Sequence, residues 1–188
     1  MVRSNTAFTP LRLIEYNAEE VLVGTHRVNA SGDNMEKILI SSCLLGQAVR
    51  YDGGHNLLQD EWMQRWQREG RIVAFCPECA GGLPTPRPVA ERVGDLVLTA
   101  QGEDVTAAFR LGAQKALALA QEQGIKIAIL KARSPSCGNQ HIYDGSFSKH
   151  LIAGRGMTAE LLLAAGMSVF NETELAEAAM RLAQLEVE

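Results

Sequence analysis

Four short runs carry the aliphatic bulk of the chain: "KILISS" (37–42), "RIVAF" (71–75), "KIAILK" (126–131) and "MSVF" (167–170). Each is continuously apolar rather than alternating, the pattern of a strand covered on both faces, as in a parallel sheet. Helical periodicity fills the intervals. Residues 57–70 put Leu58, Trp62 and Trp66 on one face and stop at Gly70. That stripe reads as core packing rather than as a platform for stacking bases. Residues 104–124 carry Val105, Phe109, Ala113, Ala116 and Ala120 at helical spacing and stop at Gly124. "TAELLLAAG" and "ETELAEAAMRLAQL" complete the set, and "VGDLVLTAQG" (93–102) reads as a small hairpin. Strands that alternate with helices predict an α/β fold: a layered, short, mostly parallel sheet with flanking helices and right-handed crossovers.

A chain of 188 residues is enough for one domain with a sizeable core. The regular pattern begins only at Met35. Residues 1–34 lack a sustained period and end in the turn-prone "NASGDN". Two readings stand for them. They are an extension upstream of a true start at Met35, or an arm packed on the 35–188 domain. Apolar residues make up 46% and charged residues 21%, as in an ordinary soluble globule. A net charge of −4 gives no broad attraction to a phosphate backbone or an anionic membrane. No run approaches the roughly 18 apolar residues of a membrane span. The expected location is the cytoplasm, where thiols stay reduced and cysteines serve as ligands, nucleophiles or core residues.

The positions of the cysteines sharpen that choice. Cys43 follows the first apolar run, Cys76 follows the second, and Cys137 lies six residues past the third. Three βα loops thus carry thiols at the carboxyl edge of the sheet, where open parallel sheets bind ligands. Three thiolates suit a [4Fe-4S] cluster with one iron left open. Zinc with a fourth ligand from Cys79 or a histidine is the alternative, and simple burial of small apolar groups is the bland one. Cys79 stands apart. "CPECAGGLPTP" has too many glycines and prolines for the long helix that a thioredoxin-type C-x-x-C opens.

The loops resemble those of the bacterial thiouracil and thiouridine desulfidase family, formerly a domain of unknown function. The matching motifs are "SSCLLG" with "RYDG", "FCPE" with "GGL", "PRP" and "ER", then "GEDVT", "KARSPSCG" and "GRGMTAELL". They run in order from Met35 to about Leu182, so residues 1–34 fall outside the resemblance. The resemblance implies a [4Fe-4S] cluster bound by Cys43, Cys76 and Cys137, a catalytic Glu78 and a catalytic Ser134, with Ser136 as second choice. It implies non-redox conversion of 2-thiouracil or 4-thiouridine to the oxo form, with sulfide released and the open iron taking the substrate sulfur. A small-molecule thiopyrimidine is the expected partner. The acidic charge does not point to tRNA.

Each site residue has a structural competitor. Glu78 can instead form an ion pair with Arg87 or Arg92, and Ser134 can be a turn serine ahead of Pro135. Lys131, Ser136 and Arg50 are candidates for shaping the pocket. "GRGMT" lacks the full phosphate-loop pattern and reads as a turn with Thr158 capping the next helix. A cluster- or zinc-binding structural or sensor protein without turnover is the functional alternative.

Overall fold

A computed structural model describes residues 35–187 and two short strands ahead of them, β1 (Leu22–Val23) and β2 (His26–Arg27). The chain divides into two units, Met1–Met35 and Glu36–Glu188. Of the first, the described part is Met35 and the antiparallel β1–β2 pair, Leu22 opposite Arg27. The two readings of residues 1–34 otherwise lie outside the described residues.

The second unit is built on a four-stranded, all-parallel sheet. Its strands are β3 (Ile38–Ser41), β4 (Ile72–Phe75), β7 (Ile127–Leu130) and β10 (Ser168–Asn171), in the order β10-β7-β3-β4. These are the four apolar runs. β3 and β7 are buried along their whole length because both faces are covered. Ile38, Ile40, Ile127 and Ile129 point to one side. There they pack with Met63 and Trp66 of α1 (Glu61–Arg68) and with Leu175, Ala178 and Leu182 of α5 (Leu175–Leu185). Leu39, Ala128 and Leu130 point to the other side. They meet Ala116 and Ala120 of α3 (Thr106–Glu122) and Ala159 and Leu162 of α4 (Met157–Ala164). A continuous apolar run is therefore two interleaved faces, each serving its own helix pair.

β4 lies at the sheet edge and is only half-buried, although its sequence is as apolar as that of the central strands. At its start Arg71, itself buried, pairs with Glu69 at 2.5 Å and with Glu186 beyond the end of α5.

Several local expectations are revised. α1 begins at Glu61, four residues after Leu57, because the Asp60 carboxylate accepts the Trp62 N–H at 2.7 Å and caps the helix there. Its buried face is Met63 and Trp66. Trp62 is 36% exposed and stacks on Trp66, with ring centroids 5.9 Å apart. The hairpin expected within 93–102 starts earlier, pairing β5 (Ala90–Val93) with β6 (Leu96–Thr99) around Gly94. A second hairpin, β8 (His141–Tyr143) with β9 (Leu151–Ala153), had no sequence signal, since three-residue strands are too short to show a period.

Candidate active site

β3 is the first strand of the sheet. β4 lies on one side of it, and the chain returns through α3 to place β7 on the other. The order therefore reverses between β3 and β7, and the crevice beyond their carboxyl ends is where such sheets bind ligands. Cys43 lies in the 3-10 turn Ser42–Leu45 directly after β3, and Cys137 lies in the loop after β7. Cys76 follows β4 and is the cap residue of α2, the single helical turn Pro77–Ala80. All three line one cavity of about 840 Å³, together with Glu78, Ser134, Lys131 and Arg50.

Each thiol is buried or half-buried, and each is reached by one hydrogen-bond donor. Ser41 Oγ donates to Cys137 Sγ at 3.5 Å while accepting the Lys131 N–H at 3.0 Å. The side-chain amide of Asn56 reaches Cys43, and its orientation follows from Arg50, whose Nη1 donates to Asn56 Oδ1 at 2.7 Å. The Cys79 N–H reaches Cys76. Burial nonetheless dominates. It pushes the Cys43 and Cys137 thiols upward and raises Cys76 to about 12.

Glu78, on the first turn of α2, is held from one side and presented on the other. Arg87 Nε donates to Oε2 at 2.8 Å and Nη2 lies 2.6 Å from the same oxygen. Oε1 accepts from Ser134 Oγ at 3.4 Å. The Ser134 oxygen in turn accepts the N–H groups of Ser136 (3.0 Å) and Cys137 (3.1 Å). Ser134 is thus both a turn serine, as its proline neighbour predicts, and the hydroxyl that faces the carboxylate. Its oxygen sits where two backbone dipoles favour negative charge.

A match to the 2-thiouracil desulfurase family model spans residues 38–174. The chain belongs to this family. It is 44% identical over 148 residues to the uncharacterized protein YbbK of Bacillus subtilis (strain 168), covering 73% of this chain and 97% of that one. Among solved structures it is similar to a [4Fe-4S]-dependent thiouracil desulfidase, TudS, at 52% identity and a TM-score of 0.78. That match covers 79% of this chain and 99% of TudS.

The donor set in this desulfurase-family chain is suited to a cluster. Three thiols on three loops face one cavity, and burying them as thiolates without a counter-charge is unfavourable. Among the described residues, no group of three or more His, Cys, Asp or Glu converges to hold one metal ion. A cluster asks for something else, because its thiolates bind different irons and stand apart. Donors aimed at the sulfurs are the contacts that tune such clusters.

The other predicted residues fall in different places. Lys131 lines the cavity, but its Nζ is paired with Glu172, whose Oε2 also accepts the Ala132 N–H at 2.7 Å. Arg50 stands at the mouth and pairs with Asp52 at 2.8 Å. Ser136 is fully buried and turned into the protein, its Oγ 2.8 Å from Thr158 Oγ1. Thr158 therefore props the Ser136 loop instead of capping α4, whose cap residue is Gly156. Gly156 lies so close to that loop that a Cβ would fall 2.3 Å from the Ser136 carbonyl carbon. Cys79, set apart in the sequence reading, has its side chain against the Cys76 thiol and lies 3.6 Å from Thr85 Oγ1.

Some residues around the site have roles that their sequence positions do not give. Ser41, Asn56 and Glu172 are ordinary strand-end or loop residues until the fold brings them to the thiols. Glu91 is buried in β5, and its Oε2 accepts the N–H groups of Gly145 (2.9 Å) and Phe147 (3.0 Å). It thereby ties the β8–β9 loop to the cavity wall.

Proposed function

We propose that this chain removes sulfur from a thiolated pyrimidine, 2-thiouracil or 4-thiouridine, and replaces it with oxygen from water. Sulfide is released and there is no net redox change. The observation that carries the reading is the meeting of three thiol-bearing loops with the Glu78–Ser134 pair in one cavity at the switch point of the sheet. The TudS neighbour, a [4Fe-4S]-dependent thiouracil desulfidase, supports it. Cys43, Cys76 and Cys137 would hold the [4Fe-4S] cluster. When bound, the cluster supplies a Lewis acid at the iron without a protein ligand, which polarises a thiocarbonyl.

The remaining chemistry falls to the chain. Glu78 Oε2 is taken by Arg87, so Oε1 is the oxygen available to accept a proton, from Ser134 or from a water in its place. Ser134 donates to that oxygen, and the two N–H groups on its own oxygen support it while it relays a proton from the attacking water to Glu78. Lys131 and Arg50 shape the wall and mouth by holding Glu172 and Asn56. The sheet end and the β5–β6 and β8–β9 hairpins line the cavity and would wall in a bound ring.

The test is iron and acid-labile sulfide per chain on anaerobically purified protein, followed by turnover of 2-thiouracil and 4-thiouridine. About four of each per chain is expected, with uracil or uridine and sulfide formed in equal amounts. Stoichiometric zinc, or full cluster without turnover, would return the chain to a structural or sensor role.

A further inference from the structure

Arg87 does more than pair with Glu78. Its surroundings give it a larger part. The side chain is 5% exposed, and every guanidinium N–H has a partner. Nε and Nη2 hold Glu78 Oε2. Nη1 donates to Pro84 O at 3.1 Å and to Thr85 Oγ1 at 3.2 Å, and Nη2 donates to Val49 O at 3.1 Å. The Arg87 N–H also donates to Tyr51 O at 2.8 Å. Val49 and Tyr51 belong to the loop of Cys43, while Pro84 and Thr85 belong to that of Cys76. Through Glu78 Oε1, Ser134 Oγ and the Cys137 N–H, the same chain of contacts reaches the third cysteine loop. The other candidate partner, Arg92, is engaged elsewhere, with Arg155 O at 2.7 Å and Glu160 at 2.6 Å.

We infer that Arg87 is the positioning residue of the reaction: its guanidinium fork fixes the Glu78 carboxylate so that Oε1 alone faces Ser134 and the cavity. This rests on the proposed desulfidase reading, in which Glu78 acts on the substrate. A lysine keeps the charge but not the fork. An ammonium group is a point donor that lets the carboxylate rotate and cannot serve both neighbouring loops at once. Holding a catalytic group within a fraction of an ångström is where such a residue contributes.

The experiment compares wild type, Arg87→Lys, Arg87→Gln, Glu78→Gln and Arg87→Lys with Glu78→Gln, all loaded anaerobically. Iron per chain, the thermal midpoint, kcat and KM for 2-thiouracil are read for each. Arg87→Lys should keep its iron and its midpoint while kcat falls about 10- to 100-fold, with KM within about twofold. On the Glu78→Gln background the same lysine should cost nothing further, because its effect passes through the carboxylate. Wild-type kcat in Arg87→Lys would overturn the inference, as would equal losses with and without Glu78. If neither single Arg87 variant folds with its cluster, the inference is also overturned, and Arg87 then holds loops rather than the carboxylate. A fully loaded wild type that turns over no thiopyrimidine is a separate result, and it removes the desulfidase reading itself.

Discussion

Glu78 and Cys79 are neighbours on one helical turn, and the geometry assigns them opposite importance. The carboxylate is gripped by Arg87 and aimed at Ser134. The Cys79 thiol is shared between a weak contact to Thr85 and the edge of Cys76. Glu78→Gln preserves shape but removes the proton acceptor, so turnover should fall about 10²- to 10⁴-fold while iron content holds. Steady-state kinetics alongside an iron assay reads both. Cys79→Ser should keep full activity and iron, and loss of either would mean that Cys79 belongs to the ligand set. Ser136 is buried against Thr158 and turned away from the cavity, whereas Ser134 lines it.

α2 has only four residues, and what holds it is contact with α3. A Cβ on Gly112 would lie 2.0 Å from Pro77 O, and one on Gly81 would lie 2.0 Å from Ala108 O. The two backbones touch where side chains would keep them apart, and this contact sets the position of both Cys76 and Glu78. Gly112→Ala should therefore cost about 1–3 kcal/mol through overpacking and lower the iron bound per chain. Thermal unfolding and metal analysis would show both effects, and an unchanged iron content would show that α2 tolerates the shift. The β8–β9 loop has its own local tie. Asp144 accepts from Ser146 Oγ at 2.5 Å and from Ser146 N at 2.9 Å and pairs with His150 at 2.9 Å, and these contacts hold its carboxyl down from an ordinary 3.8 to about 2. A depressed carboxyl contributes order above its unfolded value and loses it as protons bind. Amide protection at Ser146 should therefore be full above about pH 4 and fall towards pH 2. Hydrogen exchange across that window would show whether this carboxylate holds the turn.

On the scale of the whole molecule, the site exists because a sheet order reverses. Cys43 packs with the cluster of side chains under α1 and α5, and Cys137 with that under α3 and α4. The two thiols thus straddle the sheet end, with Ser41 bridging the strands between them. Among the described residues, no helix is long and apolar enough to cross a membrane. Every site residue named here lies in the unit Glu36–Glu188, and the family match begins at residue 38. A chain starting at Met35 is expected to load the same iron per chain and to turn over at the same rate as the full chain. Reduced loading would assign residues 1–34 a part in holding the domain together.

Much of this was legible without coordinates. Strand identity, the parallel sheet and the carboxyl-edge placement of the three cysteines follow from continuous apolar runs at βα spacing, because strands covered on both faces, as β3 and β7 are, stay apolar at every position. The helix ends at Gly70 and Gly124 follow likewise from left-handed backbone, at φ 67° and 66°. Other features are contacts between segments distant in sequence. The choice of Arg87 over Arg92, the turning of Ser136 into the protein, the donors Ser41 and Asn56 and the Glu91 tie to the β8–β9 loop all arise that way. No local period records such partners, since a side chain's partner depends on where two chain segments cross. Pattern along the chain places three thiol-bearing loops at the carboxyl edge of the sheet. Which atoms on those loops face one another depends on where distant segments cross, and only the folded chain sets that.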